Sequence, residues 1–279
     1  MASAMASFVA NDALVKFVSQ SLPASQLIFL RGVFAIALLM LAAQLMGLLR
    51  KPAEGELGPV QQVLLRPVIV RSALDALATL VYLSSLFHLP LGNATAINMA
   101  TPLMITVFVV LVWHERVSVG RWMAILLGFA GVLMIVQPAA DSFNAWALLC
   151  LAGTALHAAR DICTRNIPGN VPSVLITLGT AVSVTALSGL LSLIQGWQAF
   201  TVVQLGMLAG ASVFLSVGYY LLILSTRAGD MSVVAPFRYV GLLFALVLGW
   251  AVWGDLPNAL AWMGIGLLLG AGLYMLRRT

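Results

Sequence analysis

Charge is what this sequence has least of. Only 8% of its 279 residues are Asp, Glu, Lys or Arg, whereas 62% are hydrophobic and the mean hydropathy is +1.05. Soluble domains carry roughly 25% charged residues, so a soluble protein with a large core is excluded and a polytopic membrane protein is implied. Cysteine is nearly absent too. Cys150 and Cys163 fall in one expected helix, about 20 Å apart along its axis, which excludes a disulfide between them. The three histidines, His88, His114 and His157, are scattered over different segments, and no metal-ligand spacing occurs. No cofactor is implied. A phosphate-binding Walker sequence is missing, which argues against ATP-driven pumping within this chain. The first apolar segment lacks a basic leader and contains Asp12 and Lys16, so it reads as a spanning helix rather than a cleaved signal. The net charge of +5 does not point to nucleic acid, because its placement follows membrane topology.

What the sequence has is apolar runs. Ten candidate spans emerge, at roughly 2–21, 24–48, 68–89, 91–111, 119–136, 144–164, 172–194, 204–227, 229–250 and 257–276, each about the length that a bilayer requires. Several are joined by two or three residues, as tight helical hairpins. The stretch 49–67 is the one sizeable polar connection, and nothing is large enough for an extramembrane domain. With the N-terminus inside, Arg50, Lys51, Arg66, Arg71, Arg116, Arg121, Arg165, Arg227, Arg277 and Arg278 all fall on the cytoplasmic side, while the outer connections carry no Lys or Arg. The positive-inside rule therefore places both termini in the cytoplasm.

An internal repeat crosses this pattern. Asp12-Ala-Leu-Val-Lys16 with Pro23 aligns with Asp161-Ile-Cys-Thr-Arg165 and Pro172, and Trp113-His-Glu115 with Trp122 aligns with Trp253-Gly-Asp255 and Trp262. The expected units are 1–140 and 141–279, five helices each. An odd number of helices inverts the second unit, as in many secondary transporters, whose sites lie near the midplane between the repeats. Each unit ends in a late acidic turn and a Gly-rich helix: Gly128 and Gly131 in the first, Gly266, Gly270 and Gly272 in the second. On these residues, and on Val-Ala-Pro236-Phe-Arg238-Tyr239, the chain resembles the paired EamA-type repeats of the drug/metabolite transporter superfamily over nearly its whole length. That resemblance implies an all-α exporter of ten transmembrane helices, with bacterial amino-acid exporters among the nearest candidates, in the bacterial cytoplasmic (inner) membrane.

Arg238 stands near the middle of an apolar span. An arginine keeps its charge, and at membrane depth it costs at least about 2.5 kcal/mol on insertion scales, so it should face protein, water or an anionic ligand. The repeat sets Asn98 opposite it. A substrate carboxylate could meet this pair, with Tyr82, His157, Tyr220 and Tyr239 shaping the rest of the cavity; the competing reading is that Arg238 only bonds helix carbonyls. Arg31 and Arg160 lie nearer span ends, where snorkelling is expected. Asp12 with Lys16, and Asp161 with Arg165, stand four apart and can neutralise each other on one helix; alternatively they gate opposite mouths. Glu115 and Asp255 read as structural, and most tryptophans as interfacial anchors.

These features imply a non-enzymatic secondary transporter exporting small metabolites, with amino acids as the expected substrates, by alternating access. A channel-like facilitator is the alternative, and an intramembrane enzyme the weaker one. The expected partners are a small-molecule substrate and the lipid bilayer, with no nucleic acid and no second subunit required.

Overall fold

The structure is a computed structural model describing residues 1–50, 57–113, 118–137, 144–164, 166–228 and 235–277. All of its regular elements are helical: α1 (Ala2–Val18), α2 (Ala24–Leu45), the short α3 (Pro59–Val63), α4 (Arg66–Leu86), α5 (Leu91–Asn98), α6 (Thr101–Trp113), α7 (Val119–Val136), α8 (Ala145–Thr164), α9 (Ser173–Gln195), α10 (Val202–Ala228), a 3₁₀ turn at Ala235–Tyr239 running into α11 (Val240–Trp253), and α12 (Ala259–Arg277). Prolines set several starts. Pro23, Pro90 and Pro172 each occupy the position before a helix, where the missing N–H costs nothing.

The expected span at 91–111 is interrupted at Met99–Ala100, ahead of Pro102, and the described part of the span at 229–250 starts with the 3₁₀ turn that contains Pro236 and Arg238. A proline cannot donate to the preceding turn, so the ladder is broken there, and backbone groups are freed in mid-bundle. Interrupted helices at membrane depth are tolerated where they line a cavity.

Among the described residues, five stretches are long and apolar enough to cross a bilayer: Ala24–Leu45, Arg66–Leu86, Leu91–Phe108, Ser173–Gln195 and Val202–Leu222. Shorter apolar helices occupy Trp122–Val136, Phe237–Trp253 and Ala259–Tyr274. Leu193, Ile194, Val202, Leu243 and Val247 are among many large apolar side chains on the outside, as expected where lipid replaces water as the solvent.

The main packing partnerships join the two halves of the chain: α1 with α10, α4 with α8, α2 with α9, and α7 with α12. Two of these need glycine. A Cβ on Gly153 of α8 would lie 3.0 Å from the Tyr82 backbone of α4, and one on Gly131 of α7 would lie 2.6 Å from the Gly264 carbonyl of α12. Gly266 and Gly270, although spaced for helix packing, have open space beside them.

One end of the bundle is tied across its turns. The Ser25 hydroxyl donates to Gln195 Oε1 (2.6 Å), Gln26 Nε2 to the Gln198 carbonyl (2.8 Å), Gln204 Nε2 to the Ser21 hydroxyl (2.7 Å) and Asn144 Nδ2 to the His88 carbonyl (3.0 Å), while Gln137 and Asn258 exchange amide bonds. These are the connections that the Lys/Arg pattern assigns to the outside.

Candidate functional site

Lys16, on the last turn of α1, completes this end. Its ammonium donates to the Leu89 carbonyl, lies 4.0 Å from Asp255 Oδ2 and sits 5.0 Å from the centre of the Trp253 ring. It therefore does not neutralise Asp12, and the i, i+4 pairing is not formed. Lys16 and Asp12 are drawn apart because α1 meets a carbonyl and a carboxylate from other segments at its end. Leu22, Leu86, Leu89 and Leu91 are buried around it.

Below the closed end lies a cavity of about 850 Å³. On α1 its lining runs from Asp12 back to Met5 and stops short of Lys16; on α10 it runs from Leu215 to Leu222, and on α8 it includes His157, Arg160 and Asp161. The cavity thus occupies the half of the bundle away from Lys16.

Three arginines line it, and they differ in what they face. Arg160 NH1 donates to Asp75 Oδ1 at 2.7 Å, and its Nε and NH2 reach Asp161 Oδ1 at 3.0 and 2.8 Å. Arg31 NH1 donates to Asn11 Oδ1 at 3.3 Å, while its Nε is buried without an acceptor. The snorkelling expected of both does not occur, because two carboxylates and an amide inside the bundle solvate them better than a distant headgroup could. Arg238 has neither a carboxylate nor an amide partner among the described residues, and its Nε too is buried without an acceptor.

Of the other expected site residues, Tyr82 donates to Asp12 Oδ2 at 3.4 Å, and its ring lies 5.6 Å from that of His157. His157 Nδ1 is 3.1 Å from Asn98 Oδ1. Tyr82, Asn98, His157, Arg238 and Tyr239 all line the one cavity, as do Asp12 and Asp161. Tyr220 does not. It is 64% exposed on the outside of α10, and its neighbour Tyr219, about 100° round the helix, lines the cavity instead. Arg165 and Glu115 fall outside the described residues. Sequence reasoning passed over Asn11, and it assigned Arg31 to the interface although the side chain lies inside the bundle.

Asp75 anchors this chemistry from behind. It is 2% exposed and receives Arg160 as well as Arg71, whose NH1 stands 3.6 Å from Oδ2; Arg71 also donates to the hydroxyls of Thr164 and Thr180. A buried charge is tolerable only when so paired.

A lipid-facing helical bundle around a charged cavity is an architecture that suits a membrane transporter. The sequence matches the EamA-like transporter family over residues 1–137 and again over 144–277; the chain belongs to that family, within the drug/metabolite transporter superfamily. A riboflavin transporter of Rhizobium johnstonii is 31% identical over 209 residues, covering 75% of this chain and 69% of that protein. A pseudopaline exporter of Pseudomonas aeruginosa is 26% identical over 277 residues, 98% of this chain and 92% of the exporter. An S-adenosylmethionine uptake transporter of Rickettsia bellii is 22% identical across 67% of this chain and 64% of its own. A solved crystal structure of 18% identity superposes with a TM-score of 0.64, covering 99% of this chain and 96% of the other, which shows the shared fold.

Proposed function

We propose that the protein exports a carboxylated, amino-acid-type metabolite across the bacterial inner membrane by alternating access between two inverted five-helix units, with both termini cytoplasmic. The observation that carries this reading is that Arg238 has no polar side-chain partner among the described residues. Arg160 is held by Asp75 and Asp161 and Arg31 by Asn11, so the third cavity arginine is the one left to receive a substrate carboxylate, bidentately through its planar fork. Asn98 and His157 lie on the same cavity, with Tyr82 and Tyr239 as amphipathic walls. Lys16 holds the outer mouth shut, and the cavity lies on the cytoplasmic side of it, as an exporter needs when loading.

A second reading has its own support. A cavity of about 850 Å³ lies within the range of roughly 300–1,000 Å³ that holds drug-sized ligands, and a free amino acid would fill little of it. A larger metabolite, including an uncharged one such as the riboflavin named for the Rhizobium relative, fits that volume better.

The test is transport of a panel of amino acids and riboflavin by purified protein in liposomes. Arg238→Ala is expected to abolish flux of carboxylated solutes, and Arg238→Lys to weaken it, since lysine keeps the charge and loses the fork. Removing such a contact costs about 2–5 kcal/mol. Normal carboxylate transport by Arg238→Ala would place the binding site elsewhere. Trans-stimulation by internal solute marks a carrier; flux linear in concentration marks a channel.

A further inference from the structure

The sequence repeat sets Asn11-Asp12 on α1 against Arg160-Asp161 on α8. Both aspartates line the central cavity, and each accepts a bond at Oδ1 from the side chain just before it. The two donors differ in charge. Arg160 gives Asp161 a guanidinium, through Nε at 3.0 Å and NH2 at 2.8 Å, whereas Asn11 Nδ2 gives Asp12 a neutral amide at 2.9 Å. At its other oxygen Asp12 accepts the Tyr82 hydroxyl at 3.4 Å, so the carboxylate points away from its own helix toward α4, whose Thr79 and Tyr82 also line the cavity. No lysine or arginine nitrogen lies within 4.0 Å of Asp12 among the described residues. Lys16 is turned to Leu89 and Asp255, and Arg31 NH1 stops at Asn11 Oδ1, so the Asn11 amide links guanidinium to carboxylate without bringing them into contact. Asp75 and Asp161 each touch an arginine; Asp12, half-buried on the cavity wall, touches none.

We propose that Asp12 receives the ammonium group of the substrate, which supplies there the cation that Arg160 supplies to Asp161. The transported solute then carries an amine as well as a carboxylate. An ionised carboxylate has about four acceptor sites; Asn11 and Tyr82 occupy one each, and the others remain for an N–H donor entering the cavity. A carboxylate held only by neutral donors in a low-dielectric interior attracts a cation more strongly than it would in water, and a charge-assisted bond is about twice as strong as a neutral one. An uncharged donor would fill the lone pairs and leave the charge unmatched. The inference deepens the reading in which Arg238 meets the substrate carboxylate, and it rests on that reading.

The experiment uses the full chain in liposomes loaded with a mixture of the common amino acids, or with the same mixture N-acetylated, which keeps each carboxylate and removes each ammonium. Efflux is read by mass spectrometry. Among the solutes it carries, the parent is expected to move the free amino acid about tenfold faster than its N-acetyl form. Asp12→Asn should bring amino-acid efflux down to the level of the N-acetyl form, so that the preference disappears, and Asp12→Glu should restore part of it. Equal efflux of the two forms by the parent, absence of amino-acid efflux, or an Asp12→Asn protein that keeps the preference would each overturn the proposal. So would an Asp12→Asn protein that slows both forms by the same factor, which marks Asp12 as a proton carrier or a structural acid. If Asp12→Asn does not fold, the parent's own comparison of the two forms decides. Arg238→Ala keeps the two readings apart. N-acetyl solutes that need Arg238 but move as fast as the free amino acids remove the Asp12 subsite alone, and an amine preference that survives Arg238→Ala at full flux removes the carboxylate reading alone.

Discussion

The two halves of the bundle are held by opposite kinds of interaction. At the closed end, neutral amides and hydroxyls on turns are linked one to one, and a single cation, Lys16, joins three segments. In the cavity half, charges project from the middle of helices and share partners: Asp75 serves both Arg71 and Arg160, and Arg160 serves both Asp75 and Asp161. The first arrangement can part contact by contact, with the freed groups taken up by water at the membrane face. The second is harder to part, because each charge in it shares its partner with another.

The sharpest way to break that contrast is Asp75→Ala, which takes away the carboxylate that Arg71 and Arg160 share, leaving Arg160 with Asp161 and Arg71 with the hydroxyls of Thr164 and Thr180. Loss of one partner from a buried charge network costs about 3–5 kcal/mol, so the expected outcome is a large fall in thermal stability and in folded yield. A variant as stable as the parent would mean that the cavity network contributes little to assembly. Transport without the Arg238 fork comes next in size, as described above.

Lys16→Met probes the other end. The lost charged hydrogen bond is worth about 1.5–3 kcal/mol, and that loss falls on the closed arrangement rather than on folding. In a protein without Cys150 and Cys163, a cysteine at the cavity position Thr95 should react with an impermeant maleimide outside cells about tenfold faster once Lys16 is methionine. Unchanged labelling would show that Lys16 is not a latch, or that this end does not face outward. A control cysteine at the exposed Gln198 separates the two, because it should label from outside in either protein.

The smallest effect concerns adjacent tyrosines. Tyr219→Phe should lower transport a few-fold by removing a hydroxyl from the cavity wall, while Tyr220→Phe, on the lipid side, should stay within about 0.5 kcal/mol of the parent in stability and leave flux unchanged. Equal effects would mean that the rotation of α10 differs from the one described.

Much of the fold was legible because the bilayer enforces it. Spans must be apolar and about 20 residues long, and the helix ends observed at Val18, Leu86, Val136, Thr164 and Trp253 fall within a few residues of those expected. The kinks were less visible. Pro102 and Pro236 marked them, yet sequence alone does not say whether a neighbouring helix resatisfies the freed backbone. At the site, Tyr82, Asn98, His157 and Arg238 were found by one signal, a polar group inside an apolar run. The same signal failed for Arg31 and Arg160, since their position along the helix suggested the interface whereas their partners lie inside. It failed for Tyr220 because adjacent residues on a helix differ by about 100° of rotation, and an all-round apolar helix gives no stripe from which to read the inward face.

By itself, then, the sequence determined the solvent of this protein and its helical class, because both depend on local composition and on the thickness of the bilayer. Which cation meets which carboxylate was decided by tertiary structure alone. Lys16 turns from Asp12 to Leu89 and Asp255, Arg160 reaches back to Asp75 across 85 residues, and Arg238 has no carboxylate partner among the described residues, because a buried charge takes the partner that packing brings within hydrogen-bond reach, whatever its distance along the chain.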